Sequence, residues 1–181
     1  VNGATLTANQ AFITLGSNIQ PTYYLPRAVQ LLAKYTRLGG VSRGFQTAPR
    51  TADGQIDAAQ GYFLNAAVRV ETDLPAVDLK YTVLRMIEAQ LDRVRTADKF
   101  APRTIDLDIA LFNSDVLKLD TADRKLNIPD PDILTRAHVA LPLADLAPEM
   151  LHPISGVRLA DIAAGLDDLP DIHVRDDVRL W

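Results

Sequence analysis

Apolar residues recur along this chain in two rhythms, one near every second position and one near every third or fourth. The first marks strands and the second marks helices. Residues 11–15 form a short β-rich run ending in Gly16-Ser17-Asn18, which predicts a strand and a turn, with Asn18 as a helix cap. From Tyr24, the positions Leu25, Ala28, Val29 and Leu32 fall at helical spacing, with Pro26 in the first turn and Gly39-Gly40 as the stop. Residues 41–47 read as a strand and 48–61 as a long surface loop. Residues 63–71 alternate, with Val68 and Val70 on one face and Arg69 and Glu71 on the other, as in a half-buried strand.

A second helix begins at Asp73-Leu74-Pro75, with Asp73 as its cap and Pro75 in its first turn. It runs to about Val94 and buries Val77, Tyr81, Leu84, Ile87 and Leu91. Residues 95–104 form another irregular loop, and 105–112 are the clearest strand. Ile128-Pro129-Asp130-Pro131 is a loop, followed by a helix through 133–141 and a last short one from 161 to 164. Residues 167–177 are acidic and show no pattern. The order strand, helix, strand, strand, helix, strand, then helical additions predicts an α+β fold. Its expected form is a ferredoxin-like antiparallel sheet with helices packed on it, one three-layer domain over residues 1–181 with 1–10 as a loose terminus.

Composition narrows the function. A chain of 181 residues, 48% hydrophobic and 23% charged, has the balance of a globular domain. No apolar run approaches bilayer length, and the first ten residues lack the pattern of a signal peptide. The absence of cysteine excludes disulfides, thiolate catalysis and cysteine-ligated metals, and fits a cytoplasmic setting. A net charge of -4 argues against nucleic-acid or anionic-membrane partners.

The chemistry concentrates in Arg103-Thr104-Ile105-Asp106-Leu107-Asp108-Ile109. On a strand Ile105, Leu107, Ile109 and Leu111 point into a core, while Asp106 and Asp108 point the other way, about 6.5–7 Å apart. Alone, such a pair reads as a solvated face. Two like charges on one strand face repel without a counter-ion, however, and aspartate is poor in strands. Arg93, Arg95, Lys99 and Arg103 lie within eleven positions holding one acid, Asp98. A carboxylate pair facing such a cluster fits magnesium, which keeps waters and phosphate oxygens in its shell, and a polyphosphate.

The segment Arg93-Val94-Arg95 … Phe100-Ala101-Pro102-Arg103-Thr104-Ile105-Asp106-Leu107-Asp108 resembles the signature of the 6-hydroxymethyl-7,8-dihydropterin pyrophosphokinase family. Gly16-Ser17-Asn18, Thr47-Ala48-Pro49, Phe63-Leu64-Asn65-Ala66-Ala67-Val68 and Leu141-Pro142-Leu143 … Ala147-Pro148 … His152-Pro153 resemble further family motifs in the same order. The resemblance implies transfer of pyrophosphate from ATP to a reduced pterin alcohol in folate biosynthesis, with two Mg²⁺ ions. It implies Asp106 and Asp108 as metal ligands, and Glu88, Arg93, Arg95, Lys99 and Arg103 around the nucleotide. Arg136 matches a further phosphate-binding arginine. Asn65 matches the reader of the pterin's amide edge, Thr47 and Pro49 line that pocket, and Phe63 stacks on the ring. The partners implied are ATP and a reduced pterin, and the expected assembly is a monomer or weak dimer. The two irregular loops look like the family's mobile covers.

Departures from the pattern bear on substrate identity more than on reaction type. Asp130 stands where the family usually has a histidine that contacts the nucleotide, and Pro131 follows it. His138 takes the place of a second ring-stacking aromatic; an imidazole stacks with less apolar area and a pH-dependent charge. Phe100 replaces a tryptophan, and Lys99 replaces an arginine and its bidentate fork. A related pterin as substrate, or a diverged paralogue that binds without turnover, are the rival readings. A ferredoxin-like RNA-binding domain would need aromatics on a basic sheet face, which the chain lacks.

Overall fold

The computed structural model describes residues 8–51, 53–98, 100–122, 124–166 and 172–181. Strand β1 (Asn9–Ser17) extends the predicted run at both ends, so Asn9 and Gln10 belong to the sheet and not to a loose terminus. Helix α1 (Pro21–Tyr35) starts earlier than its apolar pattern, with Pro21 in the first turn and Pro26 inside the helix. It ends before Gly39-Gly40, which lie within β2 (Arg37–Val41) at an irregularity in the pairing. The expected strand over 41–47 is really two, β2 and β3 (Gly44–Thr47). Between them the Ser42 N–H donates to the Ala67 carbonyl, and the Ser42 hydroxyl accepts the Ala67 N–H.

Strand β4 (Phe63–Thr72) leads into a helix of three parts: α2 (Ala76–Asp78), a π-helical segment (Leu79–Leu84) and α3 (Arg85–Gln90). Pro75 occupies the cap position, so Asp73 does not cap it. The wider π turn changes the helical phase. Leu79, Val83, Leu84, Ile87 and Leu91 are buried, while Val77 and Tyr81 pack only partly. Strand β5 (Asp106–Phe112) follows, then an unpredicted hairpin of β6 (Leu117–Asp120) and β7 (Lys125–Ile128). The helix expected over 133–141 divides into a 3-10 turn (Pro131–Leu134) and α4 (Ala137–Leu146). After α5 (Leu159–Ala164) the acidic stretch yields β8 (Ile172–Arg175), paired with β3; residues 167–171 lie outside the described residues.

Every pairing is antiparallel, in the order β5-β1-β4-β3-β8 with β2 also on β4. That order of β1, β4, β5 and the β2–β3 pair, with two helical crossovers, is the ferredoxin-like arrangement. One sheet face packs Ile13, Leu15, Val68, Leu107 and Ile109 against α1 and the three-part helix. The other packs Phe12, Ala67, Ala110 and Leu111 against α4 and α5, giving three layers. Leu111 departs from its predicted face. The pairing of β1 with β5 skips Ala110, and such a bulge reverses the alternation, sending Leu111 to the second core and Phe112 to the first. Among the described residues no helix is long and apolar enough to cross a membrane.

Candidate active site

Period-two alternation decides where the chemistry lies. Asp106 and Asp108 share the face of β5 opposite Leu107 and Ile109, so they extend the second face beyond the ground that α4 covers. On β4, Phe63 and Asn65 share that face, and on β1 Gly16 lies between Asn65 and Asp106 in register. A Cβ on Gly16 would stand 3.5 Å from Asn65 Oδ1, so glycine keeps the floor between these side chains low. Asn65 is buried and donates its amide hydrogens to the Phe45 carbonyl and Thr47 Oγ1, each at 3.1 Å. The resulting cleft holds about 490 Å³, within the range of small-molecule sites.

Arginines close on Asp106. Arg103 Nη1 donates to Oδ2 at 2.7 Å, while Arg93 Nη2 and Arg95 Nη2 stand 3.8 Å and 3.9 Å from Oδ1. Arg93 is nearly buried, and its Nε has no hydrogen-bond partner. Glu88 lies beneath this group. It accepts the Leu107 N–H at 2.9 Å, Arg95 Nη2 at 2.6 Å and Arg85 Nη1 at 3.2 Å. Burial pushes its carboxyl up to about 7, against the pull of the Leu107 N–H. Glu88 thus ties the three-part helix to the strand that carries both aspartates.

Asp108 is paired with Lys80 Nζ, which comes from the π-helical segment. Although 46% of the Asp108 side chain faces open space, its depth in the cleft holds the carboxyl above the usual range. Desolvation is the main cause, opposed by Lys80 and reinforced by Asp106. A second cleft of about 320 Å³ lies behind this pair, between β5, the β6–β7 hairpin and Lys80. Asp108 and Asp130 line both clefts and form the wall they share. Asp130 accepts the Asp132 N–H at 2.9 Å and caps the 3-10 turn, and burial raises its carboxyl to about 6.

Of the residues singled out from sequence, Thr47, Pro49, Phe63, Asn65, Phe100, Arg103, Asp106, Asp108, Asp130, Arg136 and His138 line the first cleft. Arg93, Arg95 and Glu88 line neither cleft; the arginines reach Asp106 from its rim, and Glu88 supports from below. Lys99 lies outside the described residues. Two residues make contacts at the site that the sequence reading does not assign. Lys80 is not among the residues singled out from sequence. Asn18 does not cap α1: its Oδ1 accepts the Arg103 N–H at 2.8 Å and its Nδ2 donates to Gln60 Oε1 at 2.9 Å. Gln60 in turn donates to the Phe100 carbonyl at 3.1 Å, so a buried Asn18 joins both cover loops. Asn18→Ala is expected to cost about 1–3 kcal/mol through the unpaired Arg103 N–H and the lost loop tie, read from denaturant melts.

Among the described residues no three metal-binding side chains converge. Two carboxylates on one strand face, Asp106 closed in by arginines and Asp108 beside Lys80, are the donor set of an ion that keeps waters and phosphate oxygens as its other ligands. The residues therefore fit magnesium on a polyphosphate better than a cation caged wholly by protein.

The family model described as 7,8-dihydro-6-hydroxymethylpterin-pyrophosphokinase (HPPK) matches residues 12–148. The 2-amino-4-hydroxy-6-hydroxymethyldihydropteridine pyrophosphokinase of Methylorubrum extorquens is 34% identical, over 87% of this chain and 94% of its own length. Its Bacillus subtilis namesake is 34% identical, over 88% of this chain and 95% of its own. Folic acid synthesis protein FOL1 of Dictyostelium discoideum is 30% identical over 95% of this chain, which spans 25% of that longer protein. The crystal structure of wild-type Plasmodium falciparum HPPK-DHPS aligns with a TM-score of 0.64 at 17% identity, over 87% of this chain and 44% of that one. That likeness concerns the fold alone.

Proposed function

The chain belongs to the 7,8-dihydro-6-hydroxymethylpterin-pyrophosphokinase family, and on that footing we propose that it transfers pyrophosphate from ATP to 6-hydroxymethyl-7,8-dihydropterin. The products are AMP and the pterin diphosphate. The observation that carries the proposal is the position of Asp106 and Asp108 side by side in the first cleft, with Asp108 on the wall shared with the second and arginines closing on Asp106.

In this reading the pterin lies in the first cleft. Phe63 stacks on the ring, with His138 as its other cover, while Asn65 reads the amide edge and Thr47 and Pro49 bound the pocket. The nucleotide reaches from the second cleft across the wall of Asp108 and Asp130, which brings its phosphates beside Arg103, Arg93, Arg95 and Arg136. Asp106 and Asp108 hold magnesium, two ions in the full proposal, and when bound it neutralises charge on the phosphate oxygens. The pterin hydroxymethyl oxygen attacks the β-phosphorus, and the bond to the α-phosphate oxygen breaks to release AMP. Loose phosphoryl-transfer transition states need positioning and electrostatics more than a strong base, which suits a site built of arginines and carboxylates. Asn18 and Gln60 draw the two cover loops toward Arg103 and limit access of water to the donor. A cytoplasmic monomer or weak dimer completes the proposal.

Purified protein given ATP, magnesium and 6-hydroxymethyl-7,8-dihydropterin is expected to form AMP and pterin diphosphate in equal amounts. No AMP at saturating substrates would reject the assignment. Calorimetric binding of both substrates without AMP would select a non-catalytic binder instead.

A further inference from the structure

Lys80 is the feature that the proposed chemistry does not use. It stems from the π-helical segment, a wider turn that often occurs at functional positions. Two adjacent side chains of this segment reach other elements: Tyr81 donates its hydroxyl to the Lys125 carbonyl of β7, and Lys80 bonds to Asp108 of β5. Only 13% of the Lys80 side chain is exposed, yet it lines the second cleft beside the wall shared with the first. A nearly buried ammonium needs an anionic partner, since leaving it alone costs several kcal/mol. Its present partner is a carboxylate that the proposed function gives to magnesium.

Two cations contending for one carboxylate admit two outcomes. Either Lys80 is a counter-ion that divalent metal must dislodge, or it moves to a new anion arriving with the metal. The geometry favours the second. The ammonium stands in the second cleft against Asp108, on the wall that the proposed phosphate chain would cross, and it carries three donor hydrogens. Asp130 adds negative charge at the same wall, so the junction keeps a need for a fixed cation once Asp108 is occupied.

We propose that Lys80 is a nucleotide-binding residue, held by Asp108 in the ligand-free protein and transferred to a phosphate oxygen of the magnesium–nucleotide complex. The inference rests on the reading of the cleft as an ATP site. It adds a phosphate contact from the helix to those from the arginine cluster.

The two outcomes have opposite signs, so one measurement separates them. Magnesium with a nucleotide whose α,β-bridge is methylene is titrated calorimetrically into the parent, Lys80→Met and Lys80→Arg, and the pterin is titrated separately. Lys80→Met is expected to bind the nucleotide at least about tenfold more weakly, from loss of one charge-assisted bond, with pterin affinity within about twofold of the parent. Lys80→Arg is expected to recover most of that loss, and melting curves establish that both variants are folded. Equal or tighter nucleotide binding by Lys80→Met would overturn the proposal and leave Lys80 as a displaced counter-ion, with the ATP site intact. A folded parent that binds no nucleotide would overturn the underlying reading and this inference together.

Discussion

Asp108→Asn and Asp106→Asn are each expected to lower the rate of AMP formation by about a thousandfold or more, equivalent to about 4 kcal/mol of barrier. Each removes a charge from the proposed magnesium site while keeping the shape of the side chain. Each should also lower stability, because each carboxylate is the counter-charge of a nearly buried cation. Asp106 is bonded to Arg103 at 2.7 Å and stands within 4 Å of two further arginines, one of them nearly buried. Its loss leaves cations without a counter-charge and should cost about 1–2 kcal/mol in denaturant melts. Asp108 is half open to the cleft but holds the nearly buried Lys80 ammonium, so its replacement should likewise cost about 1–2 kcal/mol. Near-parental turnover by either variant would remove that residue from the metal site.

Glu88→Ala is expected to destabilise the fold by about 2–3 kcal/mol, although Glu88 lines neither cleft. The variant strands the buried Leu107 N–H at the centre of the Asp106–Asp108 segment and frees Arg95 from the helix. Glu88→Gln retains an acceptor for that N–H and should lose about half as much. The two also differ in pH response. The folded carboxyl titrates near 7 against 4.5 for an ordinary glutamate, so the folded state holds a proton that the unfolded chain has released. Its stabilising contribution is fully present below about 4.5 and is lost as pH rises through about 7. Asp130, raised to about 6, adds a slope of the same sign. Parental stability should therefore fall from pH 5 to pH 8 more steeply than that of Glu88→Gln. Parallel curves would show that Glu88 stays ionised throughout, held by Arg85 and Arg95.

Elements whose burial follows one regular period are legible in the sequence. β1, β4, β5 and α1 each contact a core through residues at strand or helix spacing, and their cores formed largely as the pattern predicts. The bulge at Ala110 was not legible, because an extra residue in a pairing depends on the partner strand, and it moved Leu111 to the other face. β8 was missed because four residues with two exposed side chains carry little pattern, and its pairing with β3 comes from more than a hundred positions away. The π turn left one faint sign. Leu79, Val83 and Leu84 cannot join Ile87 on a single α-helical stripe together with Val77 and Tyr81.

The sequence by itself determined the sheet order's raw materials, the shared face of Asp106 and Asp108, and the arginines near them in the chain. These follow from local periodicity and short separations, which backbone geometry dictates without help from distant residues. Tertiary structure alone decided that Lys80 meets Asp108, that Glu88 props β5 and that Asn18 joins two loops to Arg103. Each of those contacts spans 19 to 85 positions, and long-range pairing is chosen by packing of whole layers, which no local pattern records.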